Sequence, residues 1–100
     1  MKTVIVIPAH NEETTIGGVI KKCKKYGEVI VINDCSEDKT SEIAEKAGAT
    51  VLNHKVNMGL GGALRTGFNE AVKVGCDIVI TIDADGQHNP DDIPKFINAI

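Results

Sequence analysis

The segment Ile78-Val-Ile-Thr-Ile-Asp-Ala-Asp-Gly-Gln-His88 decides how this chain folds and where its chemistry lies. Its opening residues, 78–82, are apolar or β-branched and predict a buried strand. The carboxylates of Asp83 and Asp85 follow, and their mutual repulsion is unfavourable unless a cation lies between them. Hard divalent cations take oxygen ligands and share phosphates with a substrate. The segment therefore predicts a metal ion that in turn holds a nucleotide.

Similar apolar runs alternate with segments of helical periodicity along the whole chain. The runs predict strands over residues 3–7, 28–32, 49–52 and 77–83. The helical spacing predicts helices over residues 12–25, 41–47, 60–74 and 91–100. Strands that are continuously apolar are typical of a parallel sheet covered on both faces, with right-handed crossovers. The sequence thus predicts one α/β domain over residues 1–100.

The third predicted helix and the cysteines give specific expectations about burial. The inner face of that helix is predicted to consist of Leu60, Ala63, Leu64, Phe68, Ala71 and Val72. Cys23, Cys35 and Cys76 have neither zinc-ligand nor redox spacing. We expect free thiols in a reducing cytosol, two of them buried.

Composition excludes several classes of partner and location. The net charge is −3 and no basic stripe occurs, so nucleic acid is not an expected partner. The first apolar run, residues 4–7, is too short for a signal peptide. No run approaches the roughly 18 apolar residues of a membrane span. We therefore expect a cytoplasmic protein. The cluster Lys21, Lys22, Lys24 and Lys25 fits a solvated helix end, or contact with an anionic membrane surface.

A polar segment follows each predicted strand, over residues 8–13, 33–40, 53–59 and 83–88. Ligands of open α/β sheets bind beyond the carboxyl ends of the strands, at the point where the strand order reverses. The third polar segment runs into the glycine segment, Asn57-Met-Gly-Leu-Gly-Gly62, which opens a helix. Glycine there lets backbone N–H groups approach a phosphate or ribose, or serves close packing. The segment matches neither the dinucleotide fingerprint nor the P-loop.

Several single residues in these segments have two interpretations. Asp34 fits hydrogen bonding to a base or ribose, or a turn or helix cap. Glu12 fits a ligand contact, or stabilisation of a helix dipole. Arg65 fits a diphosphate contact, or an exposed helix position. His10, His54 and His88 share no zinc spacing and are all expected in loops.

Taken together, these motifs resemble glycosyltransferase family 2 of the type A fold. The similarity is greatest to the polyprenyl-phosphate (dolichyl-phosphate) mannosyl- and glucosyltransferases. It rests on Val4-Ile-Val-Ile-Pro-Ala-His-Asn-Glu12, Ile32-Asn-Asp-Cys-Ser-Glu-Asp-Lys-Thr40, Asn57-Met-Gly-Leu-Gly-Gly-Ala-Leu-Arg-Thr-Gly67 and Asp83-Ala-Asp-Gly-Gln-His88. In the second motif, Asn33 and Cys35 stand where the family has Asp and Gly.

The resemblance implies a Rossmann-like three-layer sandwich of the nucleotide-diphospho-sugar transferase type. It implies that Asp83, Asp85 and Gln87 hold Mg²⁺ or Mn²⁺ at the diphosphate, with Asp83 and Asp85 catalytic. It assigns base contact to Asp34. The other implied nucleotide contacts are Pro8, Ala9, His10, Glu12, Asn57, Gly59, Arg65 and Ala84.

The implied reaction is inverting transfer of a sugar from a UDP- or GDP-sugar to a polyprenyl phosphate or other acceptor. The family's acceptor-binding half follows the metal motif and is not contained in these 100 residues. Two alternatives are a nucleotide- and metal-binding module without turnover, and a sugar-phosphate nucleotidylyltransferase. The second lacks the glycine- and arginine-rich loop after the first strand. An uncovered sheet edge also favours a homo-oligomer, and a lipid acceptor favours the cytoplasmic membrane face.

Overall fold

The computed structural model describes residues 2–84. The predicted helix over residues 91–100 and the motif residues Asp85, Gln87 and His88 lie outside the described residues. Strands and helices alternate as β1 (Thr3–Ala9), α1 (Ile16–Cys23), β2 (Glu28–Asp34), α2 (Thr40–Lys46), β3 (Thr50–His54), α3 (Gly59–Lys73) and β4 (Ile78–Thr81). Within residues 2–84, no helix is both long and apolar enough to pass through a membrane.

The four strands form one parallel sheet in the order β3-β2-β1-β4. Side chains of β1 alternate between its faces because successive residues of a strand point in opposite directions. Ile5 and Ile7 pack with α1 and α2, whereas Val4 and Val6 pack with α3. Each such fully buried side chain contributes about 1.5–3 kcal/mol. The predicted α/β class and its three layers are confirmed.

The first helix begins four residues later than the sequence predicts, at Ile16 instead of Glu12. Asn11 has φ 54, so the chain turns sharply before the helix. Residues 12–15 then form a turn in which the Ile16 N–H donates to the Glu12 carbonyl at 2.9 Å. The Glu12 N–H donates to the Thr40 hydroxyl, also at 2.9 Å. The turn is therefore anchored to the first residue of α2.

The predicted inner face of α3 is partly wrong. The residues that α3 buries are Ala63, Gly67 and Ala71, whereas Phe68 and Val72 are 43% and 74% exposed. Gly67 explains the difference, because a Cβ there would lie 2.3 Å from Cγ1 of Val6. Small residues thus let α3 lie directly on β1. Phe68 and Val72 each follow a buried residue and lie about 100° further round the helix. Leu60, also predicted inside, is 62% exposed.

All three thiols are free, but only Cys23 is buried, so the expectation of two buried cysteines is wrong. Burial raises the pKa of the Cys23 thiol to about 11. Cys35 has φ 59, in the left-handed region that favours glycine. This is the position at which the resemblance has Gly, so the backbone keeps the turn although the residue has changed.

We predict opposite effects for two glycine-to-alanine substitutions. Gly67→Ala should lower the free energy of unfolding by about 1–3 kcal/mol, because the new methyl overlaps Val6. Gly18→Ala, in α1, should raise it by about 0.5–1 kcal/mol, since its methyl would meet no atom within 4 Å. Urea unfolding measures both. Equal stability of the two variants would contradict the direct packing of α3 on β1.

Candidate functional site

The strand order reverses between β1 and β4, at the carboxyl edge of the sheet. From β1 the chain proceeds outward to β2 and β3, and α3 then returns it to β4 on the other side of β1. Such a reversal leaves a crevice outside the strand ends, where ligands of open α/β sheets bind. The polar segments that follow the strands all begin at this edge.

The loops after β1 and β2 are joined by hydrogen bonds. The Asn11 N–H donates to the Ser36 hydroxyl at 2.9 Å, and Asn11 Oδ1 accepts from the Glu37 N–H at 2.8 Å. The Glu12 N–H adds the bond to Thr40 already described. These bonds bring together loops 25–28 residues apart in sequence. The backbone around Glu12 is consequently fixed relative to β2.

Asp34 is a buried carboxylate at this edge, at the end of β2 and 5% exposed. Its Oδ1 accepts from the Met58 N–H at 2.8 Å and lies 2.9 Å from His54 Nδ1, while its Oδ2 accepts from the Gly59 N–H at 2.9 Å. Burial alone would raise the pKa of Asp34, but the hydrogen bonds from Met58, His54 and Gly59 lower it below its ordinary value. An ionised Asp34 therefore attaches the glycine segment to the sheet.

The glycine segment contains positions with different roles. Gly62 serves close packing, because a Cβ there would lie 2.7 Å from Met58 Cβ. Gly59 has φ 76, and its N–H also donates to Asn57 Oδ1 at 2.9 Å. Neither close packing nor a positive φ explains the glycine at position 61, since a Cβ there would meet no atom within 4 Å. The open backbone at Gly59 and Gly61 fits close approach of a ligand at the start of α3.

His54 is a site residue that the sequence did not predict. It was expected in a loop, but it is the last residue of β3 and pairs directly with Asp34 in the sheet register. Its Nε2 lies 2.8 Å from the Thr66 hydroxyl, which lies 3.1 Å from the Gly62 carbonyl oxygen. Extending β3 by two residues would have revealed this pairing.

A cavity of about 140 Å³ opens between the end of β1 and the start of α3. It is lined by Pro8, Ala9, His10, Asp34, Gly59, Leu60 and Ala63. The first five are predicted nucleotide contacts. The His10 ring is fixed beside Asp34, since its Nδ1–H donates to the Asp34 carbonyl at 2.7 Å. Complete ligand sites usually enclose about 300–1,000 Å³, so this cavity suits one part of a larger ligand.

Three other predicted contacts are not part of the cavity lining. Asn57 is exposed, and Glu12 is not part of the cavity lining. Arg65 is exposed and lies about 200° round α3 from the buried Ala63. The structure therefore does not bring Arg65 to the cavity.

The metal motif starts beside β1. The Ile82 N–H donates to the Val6 carbonyl at 3.1 Å, and the Ala84 carbonyl accepts from the Thr15 hydroxyl at 2.6 Å. Asp83, between them, is half-buried. Residues 2–84 contain no group of three or more His, Cys, Asp or Glu side chains able to hold a metal. The carboxylate oxygens of Asp83 nonetheless suit a hard divalent cation. The other predicted ligands, Asp85 and Gln87, lie outside the described residues.

Asn33, which stands where the resemblance has Asp, is buried and uses both ends of its amide. Its Nδ2 donates to Asn53 Oδ1 at 2.8 Å, and its Oδ1 accepts from the Ser36 N–H at 3.2 Å. An ionised carboxylate could not donate the first bond. The substitution therefore links the end of β2 to β3.

Comparison with known proteins decides the family. The model of glycosyl transferase family 2 matches residues 4–100. The chain belongs to this family. It is 36% identical over 115 aligned residues to the UDP-N-acetylglucosamine–dolichyl-phosphate N-acetylglucosaminyltransferase of Methanococcus voltae, covering 96% of the chain and 46% of that protein. It is 31% identical to the undecaprenyl-phosphate mannosyltransferase of Micrococcus luteus, covering 100% of the chain and 44% of that protein. The chain thus spans less than half the length of these relatives.

A solved structure supports the same fold. Glucosyl-3-phosphoglycerate synthase from Mycobacterium tuberculosis, in complex with Mn²⁺, UDP and glucosyl-3-phosphoglycerate, superposes with a TM-score of 0.78. The identity is 28%, over 97% of this chain and 38% of that one. The nucleotide-diphospho-sugar transferase type of sheet predicted from the sequence is confirmed.

We predict that Asp34→Asn changes how stability depends on pH. Because the folded-state pKa of Asp34 is lowered, its ionised form stabilises the fold above the unfolded pKa of about 3.9. That contribution disappears as the pH falls through the lower folded-state pKa. Asp34→Asn should therefore cost about 2 kcal/mol at pH 7, and less as the pH falls below 4.

Urea unfolding between pH 7 and pH 2 measures this difference. Glu45→Gln, an exposed position on α2, controls for removal of one carboxylate. If the free energies of unfolding of Asp34→Asn and the unsubstituted protein differ by the same amount across this range, the role assigned to the ionised carboxylate is contradicted.

Proposed function

We propose that this chain is the donor-binding half of a metal-dependent glycosyltransferase. It binds a UDP- or GDP-sugar, and the sugar passes with inversion to a polyprenyl phosphate. The supporting observation is the cavity at the reversal of strand order, where Pro8, Ala9, His10, Asp34 and Gly59 meet near the end of β4. Membership of the family and the acceptors in the relatives' names point the same way.

The cavity suits the nucleoside part of the donor. Pro8, Ala9 and Leu60 give it apolar walls against which a flat base packs. Within residues 2–84, Asp34 Oδ2 accepts one hydrogen bond, and a carboxylate oxygen accepts two. The remaining position suits the ring N–H of uracil or of guanine. The start of α3, with Gly61 open, lies beside it for the diphosphate.

The motif after β4 suits the leaving group. Asp83, Asp85 and Gln87 would hold Mg²⁺ or Mn²⁺, which when bound supplies positive charge at the departing diphosphate. The Thr15 hydroxyl donates to the Ala84 carbonyl and so fixes the start of this motif at the start of α1. Related structures contain Mn²⁺ or Mg²⁺ together with UDP.

A lipid phosphate acceptor needs no dedicated general base. The second pKa of a phosphate monoester is about 6, so the acceptor is already largely anionic at pH 7. A sugar hydroxyl would instead require a general base. Such an acceptor would bring the protein to the cytoplasmic face of a membrane.

The lysine cluster lies away from the candidate site. Lys21, Lys22, Lys24 and Lys25 lie at the end of α1, whereas the candidate site lies near its start. A right-handed crossover helix starts at the carboxyl edge of the sheet and runs back to the other edge. The cluster therefore fits a solvated helix end. A homo-oligomer through β3, a terminal strand of the described sheet, stays a prediction.

Two alternative functions differ in support. A binding module without turnover fits the same cavity, since the chain covers less than half of its relatives. A nucleotidylyltransferase loses its basis because the chain belongs to glycosyl transferase family 2. Incubation with a UDP- or GDP-sugar, Mn²⁺ and polyprenyl phosphate separates transfer from binding alone. Lipid-linked sugar indicates a transferase, and nucleotide binding without product indicates a module.

We predict that Asp85→Ala abolishes metal-dependent nucleotide binding and leaves the fold intact, because one carboxylate of the motif is lost. Calorimetric titration with UDP and GDP, with and without Mn²⁺, measures this. Asp77→Ala is the matched control, since Asp77 precedes β4 and binds the Lys2 N–H at the other end of the strand. Unchanged, metal-independent affinity in Asp85→Ala would contradict the assignment of the metal motif.

A further inference from the structure

His54 stands out among the residues that the proposed function does not use. Its ring lies between the Asp34 carboxylate and the Thr66 hydroxyl, and its side chain is 10% exposed. We propose that His54 is a positioning residue that fixes the start of α3 for the nucleotide by holding Asp34. This inference rests on the proposed function, because it concerns affinity at the same cavity.

The direction of the hydrogen bonds follows from the chemistry of the groups. Ionised Asp34 only accepts, so His54 Nδ1 must carry the proton that it shares with Asp34 Oδ1. The Thr66 hydroxyl has one proton, which it gives either to His54 Nε2 or to the Gly62 carbonyl oxygen. The first arrangement suits a neutral imidazole and the second an imidazolium. Both keep the bond from His54 to Asp34.

The result is a continuous link from the end of β2 to the second turn of α3. On one side, Asp34 accepts from the N–H groups of Met58 and Gly59, at the start of α3. On the other, His54 joins Asp34 to Thr66, seven residues after Gly59. Gly59 also lines the candidate cavity. A shift of Asp34 would therefore move the cavity wall at Gly59.

The position of His54 separates this role from direct ligand contact. His54 is not part of the lining of the 140 Å³ cavity. It lines a different groove of about 570 Å³ between β3 and α3. His54 therefore acts on the nucleotide through Asp34, and Thr66, which lines the same groove, acts through His54.

Two substitutions at His54 test the proposal. The amide nitrogen of Asn matches Nδ1 in its distance along the side chain, and that of Gln matches Nε2. His54→Asn therefore keeps the bond to Asp34, and His54→Gln loses it. We expect UDP affinity in the presence of Mg²⁺ to fall about tenfold in His54→Gln, as for other groups that orient a binding residue. In His54→Asn it should stay within about threefold.

A second readout needs no nucleotide. The amide ¹H–¹⁵N signals of Met58 and Gly59 report their bonds to Asp34. They should move in His54→Gln and stay in place in His54→Asn. If they do so while no variant binds UDP, the positioning role stands and the proposed function fails. If UDP binds and neither affinity nor amide signals distinguish the two variants, the positioning role is overturned.

Thr66 provides a test that leaves the imidazole in place. Thr66→Val removes the hydroxyl next to His54 Nε2, and Thr66→Ser keeps it. If His54→Gln fails to fold, the Thr66 pair decides. Lower UDP affinity and shifted Met58 and Gly59 signals in Thr66→Val, restored in Thr66→Ser, support the proposal. Identical behaviour of the two Thr66 variants overturns it.

Discussion

The buried carboxylate of Asp34 is the interaction on which the candidate site depends. It ends β2, one of the two inner strands of the described sheet, and binds the first backbone N–H groups of α3. A buried ionised group is stable only when hydrogen bonds replace its lost hydration, and here three donors do so. The same bonds join the sheet, the glycine segment and β3. One residue therefore couples the stability of this edge to the shape of the cavity.

The cavity wall also depends on how closely α3 lies on the sheet. Ala63, Gly67 and Ala71 replace the large side chains that usually separate a helix from a sheet. Their small size brings the start of α3 within hydrogen-bonding distance of Asp34. The larger apolar residues Phe68 and Val72 lie on the exposed flank.

The sequence predicted the order of the elements and the polar edge of the sheet well, and the contacts at that edge poorly. Each predicted strand ends two residues from the observed end, which is close enough to place Pro8, Asp34 and Asp83 at one edge from periodicity and order alone. His54 was missed because Asn53 and His54 continue β3 with polar side chains, which carry no apolar signal. The flank of α3 was misassigned because Gly67, the residue nearest the sheet, has no side chain to reveal its burial. A buried glycine adds no apolar side chain, so the hydrophobic pattern of the sequence does not indicate close packing at that position.

The most direct test is a map of amide chemical shifts during titration with UDP and Mg²⁺. The account predicts saturable shifts that are largest at Ala9, His10, Gly59 and Leu60, around the cavity at the carboxyl edge. Shifts centred instead on the groove between β3 and α3, or no saturable shifts in the folded protein, would contradict it.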